Sequence, residues 1–279
     1  MNQRPLWIVG SIIVVTMVVT IYNTNVTPLY LDTRPCEELF TGKERERVIK
    51  SISTPGTVCS DLRRVGGLTK KPSRAAGSFG PDGMWYVCFD EQVQLNPRSC
   101  VVYSFGIGND FSFDEKMAEY GCNVFSFDPT MDKEDHRHSP GVMFYNLGLS
   151  DVDQERPRHP RPWHKFDKMK WKTRTFKTIM LELGHFKREI DILKMDIESD
   201  EWKSLRQMLT DGTLKSHVRQ LNVEYHISST TEALRQSYDI IKWLEKEGFK
   251  IFHSRKNPQC RKCWELSYVN SNLVNIPLN

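Results

Sequence analysis

From Cys100 onward, short apolar runs of strand length alternate with stretches whose apolar residues recur every three or four positions. Cys100–Phe105 (CVVYSF), Asn123–Phe127, Val142–Leu147, Ile190–Ile197, Leu221–Ile227, Phe249–His253 and Trp264–Val269 read as strands. Ser112–Tyr120 reads as a helix, with Asp114 and Glu115 suiting its first turn and Gly121 its stop. Thr175–Leu183 reads as a second helix, ended by Gly184. A third opens at a Ser229/Glu232 capping box and carries the stripe Leu234, Tyr238, Ile241, Leu244 before Gly248. Such alternation predicts an α/β fold, with a mostly parallel sheet covered on both faces and ligands at the carboxyl ends of its strands.

The N-terminal pattern is different. Leu6–Tyr22 is a run of 17 residues without a charge, at the short end of what spans a bilayer. It is longer than a usual signal-peptide core, and Thr20–Asn23 offers no small-residue cleavage site. We therefore expect residues 1–5 to be a short cytosolic tail, 6–22 an uncleaved transmembrane signal anchor, 23–81 a stem or linker and 82–279 the folded domain. Pro28, Pro35, Pro55, Gly56, Gly66, Gly67 and Pro72 punctuate the stem, with one helix expected over Glu37–Ser51. The flanking charges, Arg4 and Arg34, are nearly balanced. The expectation is a single-pass type II membrane protein of the secretory pathway, in the Golgi or endoplasmic reticulum, with a lumenal domain.

Composition adds limits. Lys and Arg number 39 against 35 Asp and Glu, a net charge of +4 that makes no general case for nucleic acid. The 14 Phe, 7 Trp and 9 Tyr can fill a core and exclude a wholly disordered chain. Seven cysteines leave at least one unpaired or intermolecular. Cys88 and Cys100 flank an Asn96-Pro97 turn and are expected to pair, while Cys122 reads as simply buried. Cys260-x-x-Cys263 has zinc-knuckle spacing without a second half-site, so a local disulfide or reduced thiols are the expectation over zinc.

The first strand ends in Gly106-Ile107-Gly108, where bare backbone lets a ligand approach a helix N-terminus. Asp128 follows Gly106 by 22 residues at the next strand end, the spacing at which an acid meets ribose hydroxyls. The third glycine of a dinucleotide fingerprint is replaced by Phe111, which favours a nucleoside cofactor without a pyrophosphate, S-adenosylmethionine, over NAD.

VVYSFGIGNDFSFDEKMAEYGCNVFSFDPTM, YNLGLSD, TFKTIMLELGH and IDILKMDIESDEW resemble animal methyltransferase-like proteins with an FkbM-like (type 22) methyltransferase domain, from about Asp82 to Asn270. The resemblance implies an S-adenosylmethionine-dependent O-methyltransferase on a Rossmann-like sheet of seven strands with a reversed final hairpin. It departs from the general methyltransferase pattern at Ser104, which replaces an acid, and at Asp110, which replaces a third Gly. Ser199 stands where DVEGAE has Gly.

On this reading Gly106, Gly108, Asp128, Asp151 and Asp196 are the cofactor-binding candidates. Asp196 and Glu198 alternate with Ile197, and Glu224 and His226 with Tyr225, at adjacent strand ends. Buried charges left unpaired are costly, so a cleft is expected there. His226, then Glu198 and Glu224, are the catalytic candidates for taking the acceptor's proton. No metal is assigned, although the same oxygens suit Mg²⁺ or Ca²⁺. The segment 156–177 has nine Lys and Arg against Asp167, with Trp163, Phe166 and Trp171 interleaved. It is expected to be a basic loop, either solvated or meeting an anionic partner. The acceptor is expected to be a glycan or small hydroxyl compound, with no nucleic-acid partner. The alternative is a catalytically silent domain on the same fold that binds an anionic glycan or protein.

Overall fold

The computed structural model describes residues 34–67, 83–131, 133–157 and 170–274. The expected anchor over 6–22 and most of the basic loop lie outside them. Among the described residues no helix is long and apolar enough to cross a membrane. The chain divides into two compact units, Met1–Leu39 and Phe40–Asn279, and all the strands among the described residues belong to the second.

Helix α1 (Arg34–Ser53) enters this unit at Phe40, and its Val48 and Ile52 are fully buried in the main core. Strands β1 (Leu62–Gly66) and β2 (Met84–Cys88) form an antiparallel ribbon. Then come β3 (Val101–Phe105), α2 (Ser112–Tyr120), β4 (Asn123–Phe127), β5 (His136–Ser139), β6 (Val142–Tyr145), β7 (Gly148–Leu149), β8 (Gln154–Pro157) and β9 (Lys170–Arg174). The order continues with α3 (Phe176–Glu182), β10 (Ile190–Met195), α4 (Glu201–Thr210), α5 (Thr213–His217), β11 (Val218–His226), α6 (Thr231–Lys246), β12 (Phe249–Lys256) and β13 (Cys263–Asn270).

The main sheet has eight strands in the order β12-β13-β11-β10-β3-β4-β6-β5. Strands β6, β4, β3, β10 and β11 run parallel, and β13 returns antiparallel to β11 with β12 beyond it. This is the Rossmann-like methyltransferase sheet with its reversed final hairpin. An additional polar edge strand, β5, raises the expected seven strands to eight. Every residue of β3 is buried, with Val101, Tyr103 and Phe105 on one face and Val102 on the other. A strand covered on both faces reads as a continuous apolar run.

Several expectations are corrected. Residues 40–67 of the expected stem belong to the second unit. Besides α1, β1 pairs with β2, and Gly56 and Thr57 donate backbone N–H groups to the Ile251 carbonyl at 2.7 and 3.1 Å. The ribbon is fixed to the sheet by polar side chains. Gln220 bonds both backbone groups of Cys88, and Asn222 and Ser267 donate to the Tyr86 carbonyl. Cys88 pairs with Cys59, not Cys100, and Cys100 pairs with Cys122 across the start of β3 and β4. These are spatial neighbours that spacing along the chain does not reveal. Cys260 and Cys263 form a local disulfide. Helix α6 is capped by Thr230, whose hydroxyl accepts from Ala233 N–H, rather than by Ser229. Finally, the ends of the basic segment are not loop. Strands β7, β9 and β8 form a small three-stranded sheet, and Thr175 caps α3.

Candidate functional site

The end of β3 and the end of β10 touch. Gly106 has φ +78°, and a Cβ there would fall on the Asp196 carbonyl oxygen. Its glycine identity is therefore required by the backbone of the neighbouring strand. Gly108, at φ +55°, is different: a Cβ on it would meet nothing within 4 Å. Of the two glycines, Gly108 is the one where the position of a side chain is open space.

Asp128 holds this loop in shape. Its Oδ2 accepts from Ile107 N at 2.9 Å and Gly108 N at 2.8 Å, and its Oδ1 accepts from Thr130 N and Thr130 Oγ1, both at 2.7 Å. A carboxylate offers about four acceptor positions, so the chain's own donors fill those of Asp128. Asp110 Oδ1 accepts from Ser112 N at 3.0 Å, at the start of the following helix. Asp151 sits after β7, where Lys203 Nζ lies 3.7 Å from its carboxylate and 2.9 Å from that of Asp200.

On the other side of the Gly106–Asp196 contact, acids and an imidazole converge. Tyr225 turns its ring into the core, and its hydroxyl lies 3.2 Å from that of Tyr268. The alternation of β11 then sends Glu224 and His226 to the opposite side. Buried Glu224 accepts from Asn257 Nδ2 at 3.0 Å. The His226 ring Nδ1 lies 3.1 Å from Glu201 Oε1, which also accepts from Ile197 N at 2.8 Å. The His226 carbonyl accepts from the Trp202 indole at 3.0 Å, and that indole stacks on Tyr225. Asp196, Glu201 and His226 each bring a ligand atom within 4.8 Å of the others.

Glu198 does not join them. It is exposed and left-handed at φ +58°, as is Ser199 at φ +85°. The turn from β10 into α4 reverses the chain at these two residues. The carboxylate that β10 and its following turn supply to the cluster beside Asp196 is instead Glu201, three positions on, with 0 % of its surface exposed. Sequence reasoning missed it because alternation was extended past the end of β10. A signal was available: an acid in the first turn of the next helix, where the helix dipole favours one.

Lys194 was missed as well. It lies on β10 two residues before Asp196, buried, and donates to the Gly106 carbonyl at 2.6 Å and the Phe105 carbonyl at 3.2 Å. It thus joins the glycine loop to the acid cluster.

Electrostatics separate the members. Burial raises Asp196 to about 6, with Lys194 and His226 pulling the other way. Burial, then the charges of Asp196 and Glu265, raise Glu224 to about 9. Burial works against a charge on His226, but the Glu201 hydrogen bond and the charges of Glu201, Asp196 and Glu224 outweigh it and lift His226 to about 9. At neutral pH these shifts favour an imidazolium at His226 and a protonated Glu224. His226 is not the free neutral base expected from its ordinary pKa.

Residues 41–270 match the model of a family described as a methyltransferase domain, type 22. Two curated relatives, both named probable methyltransferase-like protein 24, come from Homo sapiens and Rattus norvegicus. The human protein is 30% identical over 254 residues, covering 82% of this chain and 65% of that protein. The rat protein is 31% identical over 254 residues, covering 82% of this chain and 66% of that protein. The chain thus spans just under two thirds of the length of these relatives. A solved structure of methyltransferase FkbM from Methylobacillus flagellatus is 14% identical, covers 62% of this chain and 44% of its own, and superposes with a TM-score of 0.40. With a family match over most of the chain and a sheet of this topology, the protein belongs to the type 22 methyltransferase-domain family.

Proposed function

We propose that the chain is an S-adenosylmethionine-dependent O-methyltransferase, anchored as a type II membrane protein with its domain in the secretory lumen, that methylates a hydroxyl of a glycan or small molecule. The contact of Gly106 with the Asp196 carbonyl carries this reading, because it sets a glycine loop shaped for a ligand directly against an acid–imidazole cluster. When bound, S-adenosylmethionine supplies an electrophilic methyl group on a cationic sulfur.

The residues divide the work. Gly108 leaves space where a side chain would stand, and Asp128 keeps the loop in that conformation. In this reading Asp128 serves the cofactor mainly by shaping the loop, since its acceptor positions are occupied. Asp151, paired with Lys203, and Asp196 would offer carboxylates to the cofactor. The acceptor hydroxyl must lose its proton as the methyl moves. Of the three candidates we assign that to His226, since Glu224 already holds its proton and Glu198 lies on the exposed turn outside the cluster. Because His226 is already protonated at rest, it must be discharged before it takes part. Binding of a cation next to it does this by charge repulsion.

Titration of the purified full chain with S-adenosylmethionine and, separately, NAD tests the cofactor assignment. Binding of the first alone supports it, and binding of NAD or of neither opposes it.

A further inference from the structure

Glu201 has an unmet need. It is completely buried, and while its Oε1 accepts from Ile197 N and faces His226 Nδ1, its Oε2 is buried without a hydrogen-bond partner. Leaving a buried carboxylate oxygen unpaired costs more than leaving a neutral acceptor so. Lys194 does not answer the need, since its ammonium donates to the Phe105 and Gly106 carbonyls.

We propose that Asp196, Glu201 and His226 form a binding site for one divalent transition-metal cation, Mn²⁺ in the first instance. Their ligand atoms lie within 4.8 Å of one another. A single ion about 2.0–2.2 Å from each oxygen or nitrogen holds its ligands roughly 3–4.4 Å apart, so little closure is needed. The three residues come from the end of β10, the first turn of α4 and the end of β11, three rigid elements. They are also held from behind. Trp202 Nε1 bonds the His226 carbonyl, and Ile197 N bonds Glu201. Such supporting bonds are what metal ligands require. Two carboxylates with one imidazole select Mn²⁺ or Zn²⁺ over Ca²⁺, which prefers oxygen alone. Cys263 lies close to His226 and Glu224, but its sulfur is in the Cys260 disulfide and is no thiolate ligand.

The proposal deepens the reading of this cluster as the acceptor end of a methyltransferase site. Ligation discharges His226, whose proton leaves to solvent. An acceptor hydroxyl on the ion is acidified. Its O–H bond breaks with the proton passing to water. The O–C bond forms, and the S–C bond breaks with its electron pair retained by sulfur.

The test is a Mn²⁺ titration of the full chain, without cofactor or acceptor, read by loss of the free-ion electron paramagnetic resonance signal. One Mn²⁺ per chain is expected at micromolar concentrations, with affinity reduced at least about 100-fold in Glu201→Gln and unchanged in Glu189→Gln at the opposite end of the sheet. Circular dichroism confirms that both variants fold, and a Mn²⁺-induced rise in melting temperature, absent in Glu201→Gln, is the second readout. Absence of Mn²⁺ binding by the folded chain, or equal binding by Glu201→Gln, overturns the site. S-adenosylmethionine affinity measured on the same samples in chelator separates the two claims. Cofactor binding without Mn²⁺ binding removes the metal and leaves the methyltransferase reading standing, whereas Mn²⁺ binding without cofactor binding does the reverse.

Discussion

Gly106 and Asp196 share one point in space: the position a side chain would take on the first is occupied by the backbone oxygen of the second. The parallel ladder enforces this, because Asp196 N bonds the Phe105 carbonyl at 3.1 Å and Gly106 N bonds that of Phe127 at 2.9 Å. The loop after the first core strand and the cluster after the fourth therefore cannot move apart without breaking the sheet.

The two glycines should respond differently to alanine. At Gly106 the methyl meets fixed backbone at a positive φ, so Gly106→Ala should destabilise the domain by about 2–4 kcal/mol, in the range of strained backbone substitutions. At Gly108 there is space and only the left-handed penalty, so Gly108→Ala should cost about 1 kcal/mol while weakening cofactor binding. Denaturant midpoints with a cofactor titration check both. Equal stability losses would show that Gly108 is only a turn former.

Ser199 occupies a left-handed position at φ +85° where the related pattern DVEGAE has glycine. Ser199→Gly should raise stability by about 0.5–1 kcal/mol, since the relief of left-handed strain exceeds the added chain entropy. A lower melting temperature for the variant would mean that the hydroxyl makes a contribution larger than the strain.

The cluster also predicts a pH dependence in chelator. His226 is raised from 6.5 to about 9, so its stabilising contribution is complete below about 6.5 and lost as the pH rises through about 9. Glu224 is raised from 4.5 to about 9, and the folded state keeps that proton where the unfolded chain has released it. Both make the unfolded state bind fewer protons, so stability falls with rising pH between about 4.5 and 9. Melting temperatures should drop over this range, with a shallower slope in Glu224→Gln. A rise toward pH 9 would show that the imidazolium and the protonated Glu224 are misassigned.

Much of the sheet was legible because its strands are mainly apolar runs, and β3 and β4 end at Gly106 and at Asp128-Pro129. Asn123–Phe127 and the helix Ser112–Tyr120 were read with the bounds the structure gives. Asp196, Glu224 and His226 were legible as a group because alternation at strand ends is a local rule. Glu201 was not, since the reversal at Glu198 and Ser199 depends on two non-glycine residues in a conformation that sequence does not suggest. Lys194 and the ribbon β1–β2 escaped for a related reason. Their partners, the Gly106 carbonyl and the side chains of Gln220 and Asn222, are 88, 132 and 136 residues away along the chain. Disulfide pairing is spatial in the same way.

The central claim is that the loop held by Asp128 receives S-adenosylmethionine. Calorimetric titration of the full chain and of Asp128→Ala decides it most directly. Removing Asp128 leaves the Ile107, Gly108 and Thr130 donors without their shared acceptor, at roughly 1.5–3 kcal/mol for each charge-assisted bond that shapes the site. We predict saturable binding of S-adenosylmethionine by the full chain, none of NAD, and at least about a tenfold loss of affinity in a folded Asp128→Ala. No binding by the full chain, or an unchanged dissociation constant in the variant, would contradict the account.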